Sequence, residues 1–182
     1  MCAASTADPA ALAASVEARP GRTIVVGLGN PILGDDAAGW LVADAVEAGL
    51  AARPARGGDA RPPVVVERLA VGGLTLMEHL VGYSRAVLVD ALVTCADPPG
   101  TVRRRRLDSL PGREAGHVDS AHDATLVTAL EAGRLLGADV PDDVELVTVE
   151  AVRVLELTVT PTPEVAAAIP VAAAVVLELL DA

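Results

Sequence analysis

Three kinds of side chain in this sequence could do chemistry at a shared point: carboxylates at Asp35, Asp36 and Asp90, an imidazole at His122 and a thiol at Cys95. The two adjacent acids follow directly on Gly27-Leu28-Gly29-Asn30-Pro31-Ile32-Leu33-Gly34. A Gly-rich loop after a β-branched strand usually cradles phosphate on its backbone N–H groups. This loop carries two negative charges and no Lys, so an anion is disfavoured and a cation fits better. The plain reading of the pair is helix capping, because Asp accepts from first-turn N–H groups and complements the helix dipole. Capping needs only one of the two. Asp90 closes the apolar run Ala86-Val87-Leu88-Val89 and reads either as a ligand at a sheet edge or as a turn acid. His122, in Asp119-Ser120-Ala121-His122-Asp123, reads either as a ligand for a borderline metal or as a surface histidine.

Competing constellations are weaker. His117-x-Asp119-x-x-His122 matches no common zinc spacing. His79, within the amphipathic Met77–Leu80 segment, reads as a half-buried helix residue. Gly27-x-Gly29 lacks the third glycine of a dinucleotide fingerprint, since position 32 is Ile; Glu67 keeps that reading open as a ribose-binding acid. No Gly-x-x-x-x-Gly-Lys phosphate loop is present. Gly82-Tyr83-Ser84-Arg85-Ala86 misses the nucleophile elbow at its last position, and it precedes a strand instead of following one. Cys95 could pair with His122 as a nucleophile, but a lone Cys more often packs as a small hydrophobe.

The elements that must position these residues follow from hydrophobic periodicity and turn signals. Strands are expected over 23–28, 64–69, 86–90 and 144–149. Helices are expected from Asp35 or Asp36 to about Ala51, through 75–80, over about 122–136 with Gly137 ending it, and over 164–180 after Pro161 and Pro163. Residues 52–63 and 108–121 read as loops. The run Arg103–Arg106 puts charge on both faces of any strand, so 101–107 belongs at a sheet edge. Strands alternating with helices imply right-handed crossovers and an α/β three-layer sandwich, with a mostly parallel central sheet flanked by helices. We expect one such domain over 22–182, behind a flexible arm over 1–21.

Composition narrows the function. The chain has 182 residues, is 52% hydrophobic and contains no Phe, so its core must be assembled from many Ala, Val and Leu contacts. Net charge is −11 and every basic residue is Arg. That balance argues against non-specific nucleic-acid binding, which requires phosphate neutralisation. It also removes Schiff-base and phosphate-loop lysine chemistry. Two cysteines supply no disulfide framework, and a reduced, cytoplasmic setting is expected. The first twenty or so residues lack the basic region of a signal peptide. The longest apolar stretch, Val165–Leu177, contains Pro170 and is short for a membrane span, so a soluble chain is expected.

Taken together, these residues resemble the hydrogenase maturation endopeptidase family. Gly27-Leu28-Gly29-Asn30-Pro31-x-x-Gly34-Asp35-Asp36-x-x-Gly39 is similar to its opening motif. Val71-Gly72-Gly73-Leu74-Thr75 resembles its second Gly-rich turn, and Val87-Leu88-Val89-Asp90-Ala91 its middle strand. Ser120-Ala121-His122-Asp123 resembles its Ser-x-His segment, and Thr160-Pro161 the turn before its last helix. The resemblance implies a protease that trims the C-terminal tail of a [NiFe] hydrogenase large-subunit precursor and is a monomer when free. It implies that Asp36, Asp90 and His122 are the catalytic, nickel-contacting residues. The nickel would be carried by the substrate and contacted transiently. The sequence departs from the family pattern at Ala37, where Gly is common, in Leu157-Thr158-Val159, which lacks a frequent Gly, and in the Arg103–Arg106 run.

Overall fold

The computed structural model describes residues 21–53, 63–107 and 121–182, the side chains of 121–125 excepted. The arm expected over 1–21 lies outside the described residues except for Gly21, as do His117, Asp119 and Ser120. Five strands form one sheet in the order β2-β1-β3-β5-β4. In chain order these are β1 (Thr23–Leu28), β2 (Val64–Leu69), β3 (Arg85–Leu92), β4 (Val102–Arg106) and β5 (Asp143–Glu150). The α-helices are α1 (Ala38–Ala51), α2 (Gly73–Leu80), α3 (Ala121–Leu135) and α4 (Pro163–Asp181). All pairings are parallel except β4 with β5.

Strand alternation sorts the core into two layers. Val25, Val87, Val89, Val147 and Val149 point to one face and pack with Val42, Val46, Val165 and Val176 of α1 and α4. Ile24, Val26, Leu28, Leu88, Val144 and Leu146 point to the other and pack with Leu76 and Leu80 of α2 and Leu126 and Leu130 of α3. The fold is therefore the three-layer sandwich that the strand–helix alternation implies. Val and Ala fill the α1–α4 layer and mostly Leu the α2–α3 layer, as a chain without Phe requires.

The Arg run does form an edge strand, and alternation explains how consecutive guanidiniums are tolerated there. Helix α4 is longer than its apolar stretch suggested, at 19 residues, and is long and apolar enough to cross a membrane by length and composition alone. Here Val165, Ala168, Ala172, Ala173, Val176 and Leu179 of that helix are buried on the sheet and its neighbour helix.

Candidate functional site

The loop from β1 to α1 is built by close backbone approach. Gly29 has φ +122°, and a Cβ there would stand 1.9 Å from the carbonyl oxygen of Asp36. A Cβ on Gly39 would stand 2.1 Å from the Leu28 carbonyl oxygen and 2.6 Å from that of Val89. Only glycine allows both contacts. They press the start of α1 onto the ends of β1 and β3. These glycines serve the chain's approach to itself, with no lysine or phosphate cradle.

Between them, Gly34–Ala37 forms a 3-10 turn against β3. Neither acid caps a helix through its side chain. Their roles diverge completely. Asp35 is fully buried. Its Oδ2 accepts from the backbone N–H groups of Val152 at 3.1 Å and Arg153 at 2.9 Å, and its Oδ1 accepts from Thr162 N–H at 2.6 Å. Burial by itself would push this carboxyl up, but the donors from Thr162, Arg153 and Val152 outweigh it and hold it below its ordinary value. The backbone adds to the clasp. Asp35 N–H donates to Arg153 O, Gly34 N–H to Thr158 O, and Thr158 N–H to Ile32 O. Asp35 is thus the pin joining the 30–36 loop to the 151–162 loop. Sequence reasoning missed it; the signal was the second acid that capping did not need.

Asp36 is only partly buried. Its Oδ2 accepts from Asn30 N–H at 2.7 Å, closing the Gly-Asn turn over the carboxylate. Oδ1 takes no hydrogen bond among the described residues. A carboxylate with one oxygen fixed by backbone and the other available is suited to a ligand role. Asn30 in turn accepts from Ile32 N–H through Oδ1 at 3.2 Å.

Asp90 lies within β3, two positions before its end, where the sequence suggested a strand terminus. It is 6% exposed, and Oδ1 accepts from its neighbour Ala91 N–H at 2.9 Å. Alternation turns it to the α2–α3 face, in register with Thr148 of β5. His122 falls in the first turn of α3, and its side chain is outside the described set. The far end of α3, at Gly133, sits beside Val140, just ahead of β5. The helix therefore runs against the strands, and its first turn lies toward their C-terminal ends. The strand ends thus gather the Asp36 turn, Asp90 and the entry to α3 on one rim, where open α/β sheets bind ligands. No group of three His, Cys, Asp or Glu side chains able to hold a metal occurs among the described residues, which exclude the His122 side chain.

His79 is exposed, not half-buried, and its Nδ1 lies 3.1 Å from Glu67 Oε2. Cys95 is exposed with φ 56°, in a loop whose N–H groups at 94 and 95 donate to Glu150. It is not the buried small hydrophobe expected. The rim also carries exposed apolar side chains. Ile32, Leu155, Leu157 and Val159 all face solvent on the two loops that Asp35 joins.

The family model of the hydrogenase maturation proteases matches residues 69–179. The chain belongs to that family. A solved hydrogenase maturating endopeptidase, HybD from E. coli, is 30% identical, with a TM-score of 0.65 over 88% of this chain and 92% of that one. An endopeptidase from Escherichia coli is 26% identical, with a TM-score of 0.62 over 87% and 91%. The [NiFe] hydrogenase maturation protease HybD from Thermococcus kodakarensis, 22% identical, shares the fold at a TM-score of 0.62 over 87% and 99%. No curated protein sequence matches the chain.

Proposed function

We propose that this maturation protease removes the C-terminal extension of a [NiFe] hydrogenase large-subunit precursor after nickel has been inserted, and that Asp36, Asp90 and His122 contact that nickel. The observation that carries the reading is the family match together with two carboxylates of the right type on one rim of the sheet. Two carboxylates and an imidazole make a hard-to-borderline donor set that leaves coordination positions open. Such a set suits an ion already held by another molecule better than a closed structural site does. The substrate brings the metal, and this chain reads it. The Asn30 and Ala91 N–H groups orient the two carboxylates, so neither has to be arranged when the substrate arrives. Hydrolysis consumes one water, breaks one C–N bond and leaves a new carboxylate on the large subunit and an amine on the released tail. The exposed apolar side chains Ile32, Leu155, Leu157 and Val159 on the two joined loops support a macromolecular partner, since exposed apolar surface is used in protein contact.

The test is incubation of nickel-loaded precursor with the wild-type protein, Asp36→Asn and His122→Ala, followed by intact-mass measurement of the large subunit. Wild type is expected to release the tail and both variants to leave it, with melting temperatures close to wild type. Tail removal by both variants at the wild-type rate overturns the assigned roles. Binding of precursor by the wild type without cleavage would instead indicate a non-catalytic partner-binding module.

A further inference from the structure

The Arg103–Arg106 run is the sequence motif that the proposed reaction leaves unused, and alternation splits it into two pairs. Arg104 and Arg106 point to the α1–α4 face. Arg104 binds the buried Glu145 through Nη2 at 2.7 Å and Nε at 3.1 Å, and Arg106 lies 3.4 Å from Asp143. These two are tied to acids of β5. Arg103 and Arg105 point to the opposite face, the face of Asp90. Asp90 stands in register with Thr148 of β5, and Thr148 with Arg103 of β4. One row therefore runs across three strands from the candidate site to the edge. Two inter-strand steps put the backbone of Arg103 ~10 Å from that of Asp90.

Arg103 and Arg105 line a cleft of about 250 Å³ with Leu92, Thr148, Asp97 and Glu150. Both are exposed enough to be reached from solvent. Asp97 grips Arg103 through both its carboxylate oxygens, which fixes the guanidinium over the cleft, and the same hydrogen bonding holds the Asp97 carboxyl below its ordinary value. Glu150 is spent on the fold. Its oxygens accept from Thr94 N–H at 2.8 Å, Thr94 Oγ1 at 2.7 Å and Cys95 N–H at 2.9 Å. In a molecule of net charge −11, two guanidiniums beside an acid-lined site mark where a negative group can be received.

The geometry points to a carboxylate-binding subsite: Arg103 and Arg105 receive a carboxylate of the peptide being cleaved. Its source is an acidic side chain of the departing tail or the tail's own terminus. This rests on the tail-cleaving reading and names the substrate class for the same site. An extended peptide advances ~3.3 Å per residue, so the carboxylate lies about three residues from the scissile bond. The peptide lies along the strand ends from the Asp36 turn, past Asp90, to β4, and places its tail over the arginines.

The experiment compares wild type, Arg103→Gln, Arg105→Gln and the double variant on nickel-loaded precursor, with Arg53→Gln as a remote control. It also measures binding of synthetic tail peptides by fluorescence anisotropy. Three peptides are used: native, with acidic side chains neutralised to Asn or Gln, and with an amidated terminus. The double variant is expected to raise KM by about tenfold or more with kcat little changed, the pattern of lost uniform binding. One of the two modified peptides is expected to bind wild type correspondingly more weakly and the double variant no worse, which identifies the source. The double Arg→Lys variant, which keeps the charge, is expected to fall between. Unchanged KM in a folded double variant, or equal losses from tail neutralisation in wild type and double variant, overturns the subsite. Failure of wild type to process the precursor while native peptide still binds through the two arginines overturns the reaction and keeps the subsite. No arginine-dependent peptide binding overturns the subsite whatever the cleavage result.

Discussion

At the scale of single residues, two neighbouring aspartates have been given unrelated jobs. Asp36 is held by one backbone N–H, and its other oxygen takes no hydrogen bond among the described residues, whereas Asp35 is entirely consumed by three backbone donors. The energetics of Asp35 are those of a buried charge repaid by charge-assisted hydrogen bonds. Its lowered carboxyl fixes the sign of its pH effect. The folded form binds its proton less readily than an unfolded Asp near 4, roughly. The stabilisation it supplies is therefore complete above the unfolded value and is lost as pH falls through the lower folded value. Asp35→Asn leaves buried N–H groups facing an amide that cannot accept at both ends. We expect it to cost about 2–3 kcal/mol at neutral pH. We also expect its melting temperature to fall less steeply than that of wild type as pH drops from about 5 to 2.5. Parallel melting curves for the two proteins over that range would refute the assignment. The resemblance chose Asp36 as the ligand, but local sequence rules alone do not separate these aspartates, because both satisfy them equally. What distinguishes them is the loop at 151–162, more than a hundred residues downstream, and no local pattern encodes that contact.

At the scale of elements the sequence was far more legible. The strands around 23–28, 64–69 and 144–149 stand within a residue of where β-branched runs placed them, because apolar patterning and burial are the same physical quantity there. The middle strand was read short. Its polar Asp90 looked like an end, yet the ladder to β5 continues through Leu92 and absorbs it on the rim. The edge position of β4 was legible from charge alone. Its division of labour was not, since that depends on which partner acid lies across from each Arg. Glu145 is 2% exposed and faces Arg104, so the outer member of this pair neutralises an inner charge. Removing Arg104 strands the Glu145 carboxylate. Arg104→Gln should therefore destabilise the fold by about 2 kcal/mol or more in urea unfolding. Arg105→Gln, a position away on the other face, should cost less, ~1 kcal/mol or below, as loss of an exposed charge's contacts does. Equal losses at the two positions would contradict the facial division.

At the scale of the whole molecule, two distant stretches, 30–36 and 151–162, are clasped together beside the candidate site. On the proposed reading, a tail peptide would touch only the strand ends and β4. A folded precursor would also rest on what surrounds them, and there Leu155 is 86% exposed, Leu157 82% and Val159 73%. These side chains do not dangle from a slack segment. The loop that carries them is fixed by Asp35 and by the bridge of Leu33 with Thr158. A rigid, exposed apolar surface beside a candidate active site loses little entropy on docking, which favours contact with a folded body. Replacing Leu155 and Leu157 by Ser should leave thermal stability within ~0.5 kcal/mol, because neither side chain is buried in the free protein. The same change should raise KM for the nickel-loaded precursor by about tenfold, as loss of a contact anchor does. It should leave binding of the short tail peptide unaltered, in contrast to the Arg103 and Arg105 variants. A doubly substituted protein that processes full precursor as wild type does would show that recognition ends at the tail.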